Sequence, residues 1–428
     1  MLKECRQRRA EGGRKVAERA VFDREGFPSA VGPVAFLGLA LLSQTASSFV
    51  QQGIPVLGVF LQRRFHLSLA EMGMTVSAAT LGMMACFAVA GALADRLGPR
   101  RLMFWGSLGM ALTAAAAAQV AGLAGLVITL FLFGATLAAG PSAGMKAVFT
   151  AFAGRARGLP MGIRQTGVPL GAALAAFFLP ELTGVLGWKR MFEGFALMLL
   201  VIGWGFSRAI PAWPVAAKAA PGARPRMIVW PLLAPMAVAF LMAAGQYDLL
   251  TFSIPDLVQR GHVGISTAGA ILAAAQIGGG AGRIAFGWWS DRQGGNRPRL
   301  ILVCAALGIV GALAAALGPG RLPTWALGPL WFVFGIGAVG WNALVATWAA
   351  ERVEGAHSGL AMSVTATSVF VGAVVNPPLF GGVVDRFHQF YWGWIGLAAI
   401  LSAAAAILWR ATHGARQAAE AAWSHLSS

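Results

Sequence analysis

Charge is scarce in this chain. Only 11% of its 428 residues are Asp, Glu, Lys or Arg, and only 16 are acidic. A soluble domain carries about a quarter charged residues, so there is too little polar material here to cover a water-facing surface. The apolar fraction of 57% and mean hydropathy of +0.68 point to a polytopic membrane protein. Cysteine is rare too. Cys5, Cys86 and Cys304 stand far apart, which argues against a disulfide framework or a thiolate metal site. Strands of alternating polarity are missing, so a membrane barrel is not expected. No phosphate-binding Gly-rich loop occurs, which argues against ATP as an energy source. Paired acids, His clusters and nucleophile motifs are absent at membrane depth, so the expectation is no enzyme, no cofactor and no metal.

What is present is a succession of apolar runs near the ~20-residue length of a bilayer crossing. Twelve are expected, at 33–61, 69–93, 102–119, 123–149, 159–182, 191–210, 231–258, 268–289, 300–317, 325–350, 360–384 and 391–410. Pro55, Pro141, Pro169, Pro180, Pro255, Pro377 and Pro378 are natural kink points within them. Residues 1–32 read as a basic tail, 33–211 as a first half, 212–230 as a Pro- and Arg-containing linker, 231–411 as a second half and 412–428 as a second tail.

In a soluble protein the net charge of +17 would suggest nucleic acid. Here Lys and Arg sort by topology. Of the 33, 23 fall in the tails and the loops on the side of the termini, and seven fall on the opposite side: Arg63, Arg64, Lys189, Arg190, Arg260, Arg321 and Arg386. By the positive-inside bias both termini face the cytoplasm, and the expected setting is a bacterial inner membrane with lipid, not nucleic acid, as the surrounding partner. A monomer is expected.

The chain repeats itself. Gly91-Ala-Leu-Ala-Asp95-Arg96 after the second run returns as Gly287-Trp-Trp-Ser-Asp291-Arg292 after the eighth, 196 residues later. Gly53-Ile-Pro55 in run one matches Ser253-Ile-Pro255 in run seven. Phe133-Gly134 matches Phe334-Gly335, and Gly171 matches Gly372. The repeats imply a duplicated structure.

Two six-helix halves, a basic central loop and a Gly-x-x-x-Asp-Arg turn in each half resemble the major facilitator superfamily over roughly residues 33–410. The first turn follows the family's loop signature at Gly91, Leu93, Ala94, Asp95, Arg96, Gly98 and Arg100, and departs from it at Pro99. The resemblance implies an all-α membrane protein of twelve transmembrane helices in two pseudo-symmetric six-helix halves. It also implies a conformational gate made of Gly91, Asp95, Arg96, Gly98, Arg100, Asp291 and Arg292, with Asp95 meeting the start of span eleven around 358–361. In physical terms, an acid at a helix end makes contacts that can form in one conformer and break in another. Span five carries Gly167-Val-Pro169-Leu-Gly171, similar to the Gly/Pro motif of antiporter branches. Span four lacks the Arg of the drug–proton antiporter branch.

Charge inside a bilayer is costly, so each instance is a candidate. Lys146, Arg164 and Arg283 are the cations within spans, and Asp248 is expected to be the one acid placed well inside. Gln52, Gln276, Asn342 and Asn376 are further polar candidates for a substrate site, beside Gln44 and Gln51. The excess of cations favours a small organic anion, with Asp248 as a proton-coupling group, in a secondary transporter working by alternating access. Export of drugs or other hydrophobic compounds is the alternative. His66 and His262 read as loop residues at the side opposite the termini.

Overall fold

The computed structural model describes residues 27, 29, 31–152, 158–212, 230–292, 296–353 and 358–426. Among these residues the secondary structure is helical, with no strand. Helices satisfy every interior backbone group within one segment, which is the requirement set by lipid.

Twelve spans result. They are Gly32–Phe65, Leu69–Leu97, Pro99–Ala117, Leu123–Ala151, the pair Gly158–Gln165 and Gly167–Leu186, Trp188–Ala209, Trp230–Gln259, Ile265–Arg292, Arg297–Leu317, Thr324–Ala350, Ser358–Phe387 and Phe390–Leu426. Ten of them are long and apolar enough to cross a membrane on composition alone. The expected first tail and the linker lie almost wholly outside the described residues, whereas the helix of span twelve continues to Leu426, through most of the stretch expected as a second tail. The even number of crossings puts the start of span one and the end of span twelve at one end of the bundle, here termed the near face. The opposite end is the far face.

Helix breaks fall at related places in the two halves. Span four is divided at Ala138 and span ten at Gly340-Trp341. Span five is divided at Thr166, three residues before Pro169. Pro55, Pro180, Pro255, Pro377 and Pro378 sit inside unbroken helices. Pro329, not anticipated as a kink point, does so in span ten.

The duplication is visible in packing. A Cβ on Gly134 would stand 1.8 Å from the Ala79 carbonyl oxygen, and one on Gly335 would stand 1.8 Å from that of Ala275. On the partner helices, Gly82 meets the Phe131 carbonyl and Gly278 meets that of Phe332, at 1.9 and 2.1 Å. Spans two and four, and spans eight and ten, are thus locked by the same glycine pairs, with backbones in direct contact. The halves meet along spans two and eleven and along spans five and eight.

Candidate substrate site

The break in span ten organises a polar cluster in the second half. Val339 ends the first helical piece, so its carbonyl has lost its helical partner. Asn342 donates from Nδ2 to this carbonyl at 3.2 Å and to Gln246 Oε1 at 2.9 Å. Arg283 donates from Nε to the same carbonyl at 3.2 Å. Gly279 and Gly282 let span eight approach Val339 and Ile336 closely enough for this. Tyr247, next to Gln246 on span seven, lies within electrostatic reach of Arg283. Among the described residues the terminal amines of Arg283 meet no acceptor and no carboxylate.

Tyr247 also closes a crevice of about 10 Å³, room for a single water, against Gln51, Gln52, Ile54, Pro55, Val76, Ala79 and Thr80 of the first half. The cluster therefore sits where the halves meet. Gln276, buried, is seven residues before Arg283 and on the same face of span eight.

The remaining candidates are dispersed. Arg164 is 2% exposed and packed on span four, where a Cβ at Gly144 would come within 2.5 Å of its guanidinium. Its Nε has no acceptor. Lys146 donates to the Ala94 carbonyl at 2.9 Å, which seats it beside the span-two turn and apart from the Arg283 cluster. Asp248 is 2% exposed, and its Oδ1 has no partner. Asn376 donates to Gly372, one turn back on its own helix, at 2.8 Å. Gln44 bonds Ser48, and Gln51 reaches Met83.

The sequence matches the Major Facilitator Superfamily over residues 38–377 and 236–426. The chain belongs to that superfamily. An uncharacterised MFS-type transporter of Mycobacterium tuberculosis is 32% identical over 369 residues, covering 83% of this chain and 81% of the relative. A gallate transporter of Pseudomonas putida is 26% identical over 360 residues, covering 76% and 78%. Two solved structures share the fold at 15% identity. A mutant form of the nucleoside transporter NupG has a TM-score of 0.76 and covers 88% of this chain and 99% of its own. A bacterial homologue of the human lysosomal transporter Spinster has a TM-score of 0.75 and covers 89% and 97%.

This facilitator's signature turn is explained in part by its backbone. Gly98 joins spans two and three alone, at φ 79° and ψ 156°, a region open only to glycine. Gly187 does the same between spans five and six at φ 80° and ψ 156°. Arg96 is exposed, and Arg100 and Arg101 line a cavity of 330 Å³ with Pro211 at the near face. The Asp95, Asp291 and Arg292 side chains lie outside the described residues, as do those of 358–360. Neither Gly91 nor Gly287 has an atom among the described residues within 4 Å of where its Cβ would stand.

Two acids were missed by reading sequence. Asp248 is not the sole acid deep in a span: Asp256 is fully buried in span seven, bonded by Arg260 and by Trp394 Nε1 at 2.7 Å. The first-half counterpart of Asp256 is Val56, so the repeat gave no hint of it. The second is Asp385, at the end of span eleven. It stands in Gly381-Gly-Val-Val-Asp385-Arg386, a third Gly-x-x-x-Asp-Arg, and that spacing was the available signal. His66, His262 and His388 share a left-handed backbone, φ 51–54°, just past spans one, seven and eleven. They are helix stops at the far face, where His is among the residues that tolerate this conformation.

Proposed function

We propose that this superfamily member moves a small organic anion across the membrane by alternating access, driven by a proton or a counter-substrate. The observation that carries this reading is Arg283. A guanidinium inside a span, without a carboxylate and with its terminal amines uncommitted, costs several kcal/mol to hold there. An anionic cargo offsets that cost through Coulomb attraction in a medium of low dielectric constant. Gln246, Tyr247 and Asn342 supply directional hydrogen bonds beside it. The apolar wall of Ile54, Pro55, Val76 and Ala79 faces Tyr247 across the half interface. That combination suits a cargo with a flat apolar body and one anionic end, such as an aromatic carboxylate. The gallate transporter among its relatives is consistent with this class.

Asp248, buried and unpartnered at Oδ1, is the proposed proton carrier. The Lys/Arg bias puts the near face in the cytoplasm. Arg164 and Lys146 belong to the first half and act on its packing and on the near-face turn.

Flux in proteoliposomes under an imposed pH gradient tests the reading, with aliphatic carboxylates, aromatic carboxylates and lipophilic drugs as substrates. Arg283→Gln is expected to lower carboxylate flux at least tenfold, with partial recovery in Arg283→Lys. Asp248→Asn is expected to keep substrate counterflow and lose gradient-driven accumulation. Carboxylate flux indifferent to Arg283→Gln, or transport confined to the lipophilic drugs, would overturn the anion site.

A further inference from the structure

The halves are clasped at the far face by a carboxylate seated on a helix start. Span two begins at Leu69, and its first-turn N–H groups have no helical acceptor. Asp385, at the last turn of span eleven, accepts from Leu69 N at 3.0 Å and from Ala70 N at 2.7 Å. An anion on two such donors, at the positive end of a helix, forms charge-assisted bonds stronger than neutral ones. The approach is made possible by Gly381. A Cβ there would lie 2.4 Å from the Leu69 carbonyl oxygen and 2.6 Å from Ala70 N.

Further contacts extend the closure inwards from the far face along the same helix pair. Gly73 packs on the Pro377 carbonyl, and Ser77 donates to the Val374 carbonyl at 2.6 Å. On the other seam Ser266 of span eight donates to Glu181 of span five. Of the three Gly-x-x-x-Asp-Arg segments, only the one at 381–386 has its glycine pressed against a partner helix among the described residues. Gly91 and Gly287 meet none of the described residues within 4 Å of a Cβ position.

We infer that Asp385 is the pin of a far-face gate, holding span two to span eleven while that side is shut and releasing both N–H groups when it opens. The geometry suits a device that reverses. Two bonds to backbone N–H break without leaving a buried charge, because the far-face end of span two is at the surface, where water replaces them: Ser68 is exposed and Ala70 half-exposed. Ser68 keeps span two capped in either state, since its side chain and that of Glu71 form a capping box independent of Asp385. The helix therefore stays intact while its partner leaves.

The inference concerns the gate and not the cargo, so a distance measures it without any flux. Spin-label pairs are placed in a Cys5→Ser, Cys86→Ala, Cys304→Ala background. Arg64→Cys with Arg321→Cys reads the far face, and Arg208→Cys with Arg410→Cys reads the near face; all four residues are exposed. Asp385→Asn is expected to shift the far pair towards longer separations and the near pair towards shorter ones, by about ten- to a hundredfold in population. Leu69→Pro removes one donor and leaves the carboxylate in place. Proline is compatible with this first helical position, and Ser68 at φ −65° and ψ 166° already has the backbone that precedes proline. It is expected to shift both pairs in the same direction by a smaller factor. Arg386→Gln, exposed and next in sequence, is expected to leave both unchanged. Distance distributions unmoved in a folded Asp385→Asn, or moved equally by Arg386→Gln, would overturn the assignment. If Asp385→Asn does not fold, an unmoved Leu69→Pro has the same force.

Discussion

Asp248 and Asp256 lie on one helix, both buried, with opposite surroundings. Asp256 is fully satisfied. Arg260 bonds both its oxygens, Trp394 bonds one, and the remaining Arg260 N–H groups cap span nine at the Ala315 and Ala316 carbonyls, at 2.7 and 2.8 Å. Such a network stabilises one arrangement of spans seven, nine and twelve, and losing the acid strands the guanidinium. Asp256→Asn is expected to cost about 3 kcal/mol, read as a lowered midpoint in thermal unfolding, with substrate affinity in the surviving folded protein within about twofold of the parent. Asp248 has nothing bonded at Oδ1 among the described residues, and the proton-carrier role proposed for it draws on that difference. Sequence alone could not separate the two. Each is an acid in an apolar run, and only the fold shows that Arg260, i+4 and still within reach of the span, turns back onto Asp256. The same limit applies to the cations. Lys146, Arg164 and Arg283 look alike in sequence, yet a carbonyl at the near end of span two, a glycine on span four and a break in span ten give them three different settings.

At the scale of the element, the repeats were legible because packing needs them. Gly134 and Gly335 are spaced alike from Phe133 and Phe334 since each must admit a neighbouring carbonyl, and no side chain fits there. Gly134→Val and Gly335→Val should each force two helices apart, a cost of about 1–3 kcal/mol or more. The two substitutions should produce similar drops in thermal midpoint, since the halves carry the same contact, whereas Gly184→Val, at a site with open space, should produce none. Span limits were largely readable from hydropathy, because lipid sets the length, except at span twelve, whose helix continues past the expected end at 410 to Leu426. The divisions of spans four, five and ten were not. Pro141 and Pro169 marked two of them, but the break at Gly340-Trp341 has no proline, and it is the one that frees the Val339 carbonyl for Arg283 and Asn342.

For the whole molecule, spans two and eleven run antiparallel, and each ends in Asp-Arg: Asp95 at the near end of one, Asp385 at the far end of the other. Each acid is placed two residues before its helix ends, and Asp385 meets the start of span two. A rigid-body rocking motion that parts the helices at one end closes them at the other, so the two acids cannot both be engaged at once. Asp385 is engaged here, and no atom among the described residues lies within 4 Å of where a Cβ on Gly91 would stand. Opposite substitutions should then have opposite effects on the resting population. Asp95→Asn is expected to favour the far-closed state already occupied, slowing exchange about tenfold by making the return costlier, while ligand affinity measured in detergent stays within about twofold. Asp385→Asn is expected to move the resting population the other way. The double substitution removes one contact from each end, so it should bring the spin-label distributions back towards the parent while leaving turnover slow. Restored distances with restored turnover would instead mean that neither contact limits the rate, and that the rocking barrier lies in the span-five and span-eight seam, where Gly280 packs on Pro169.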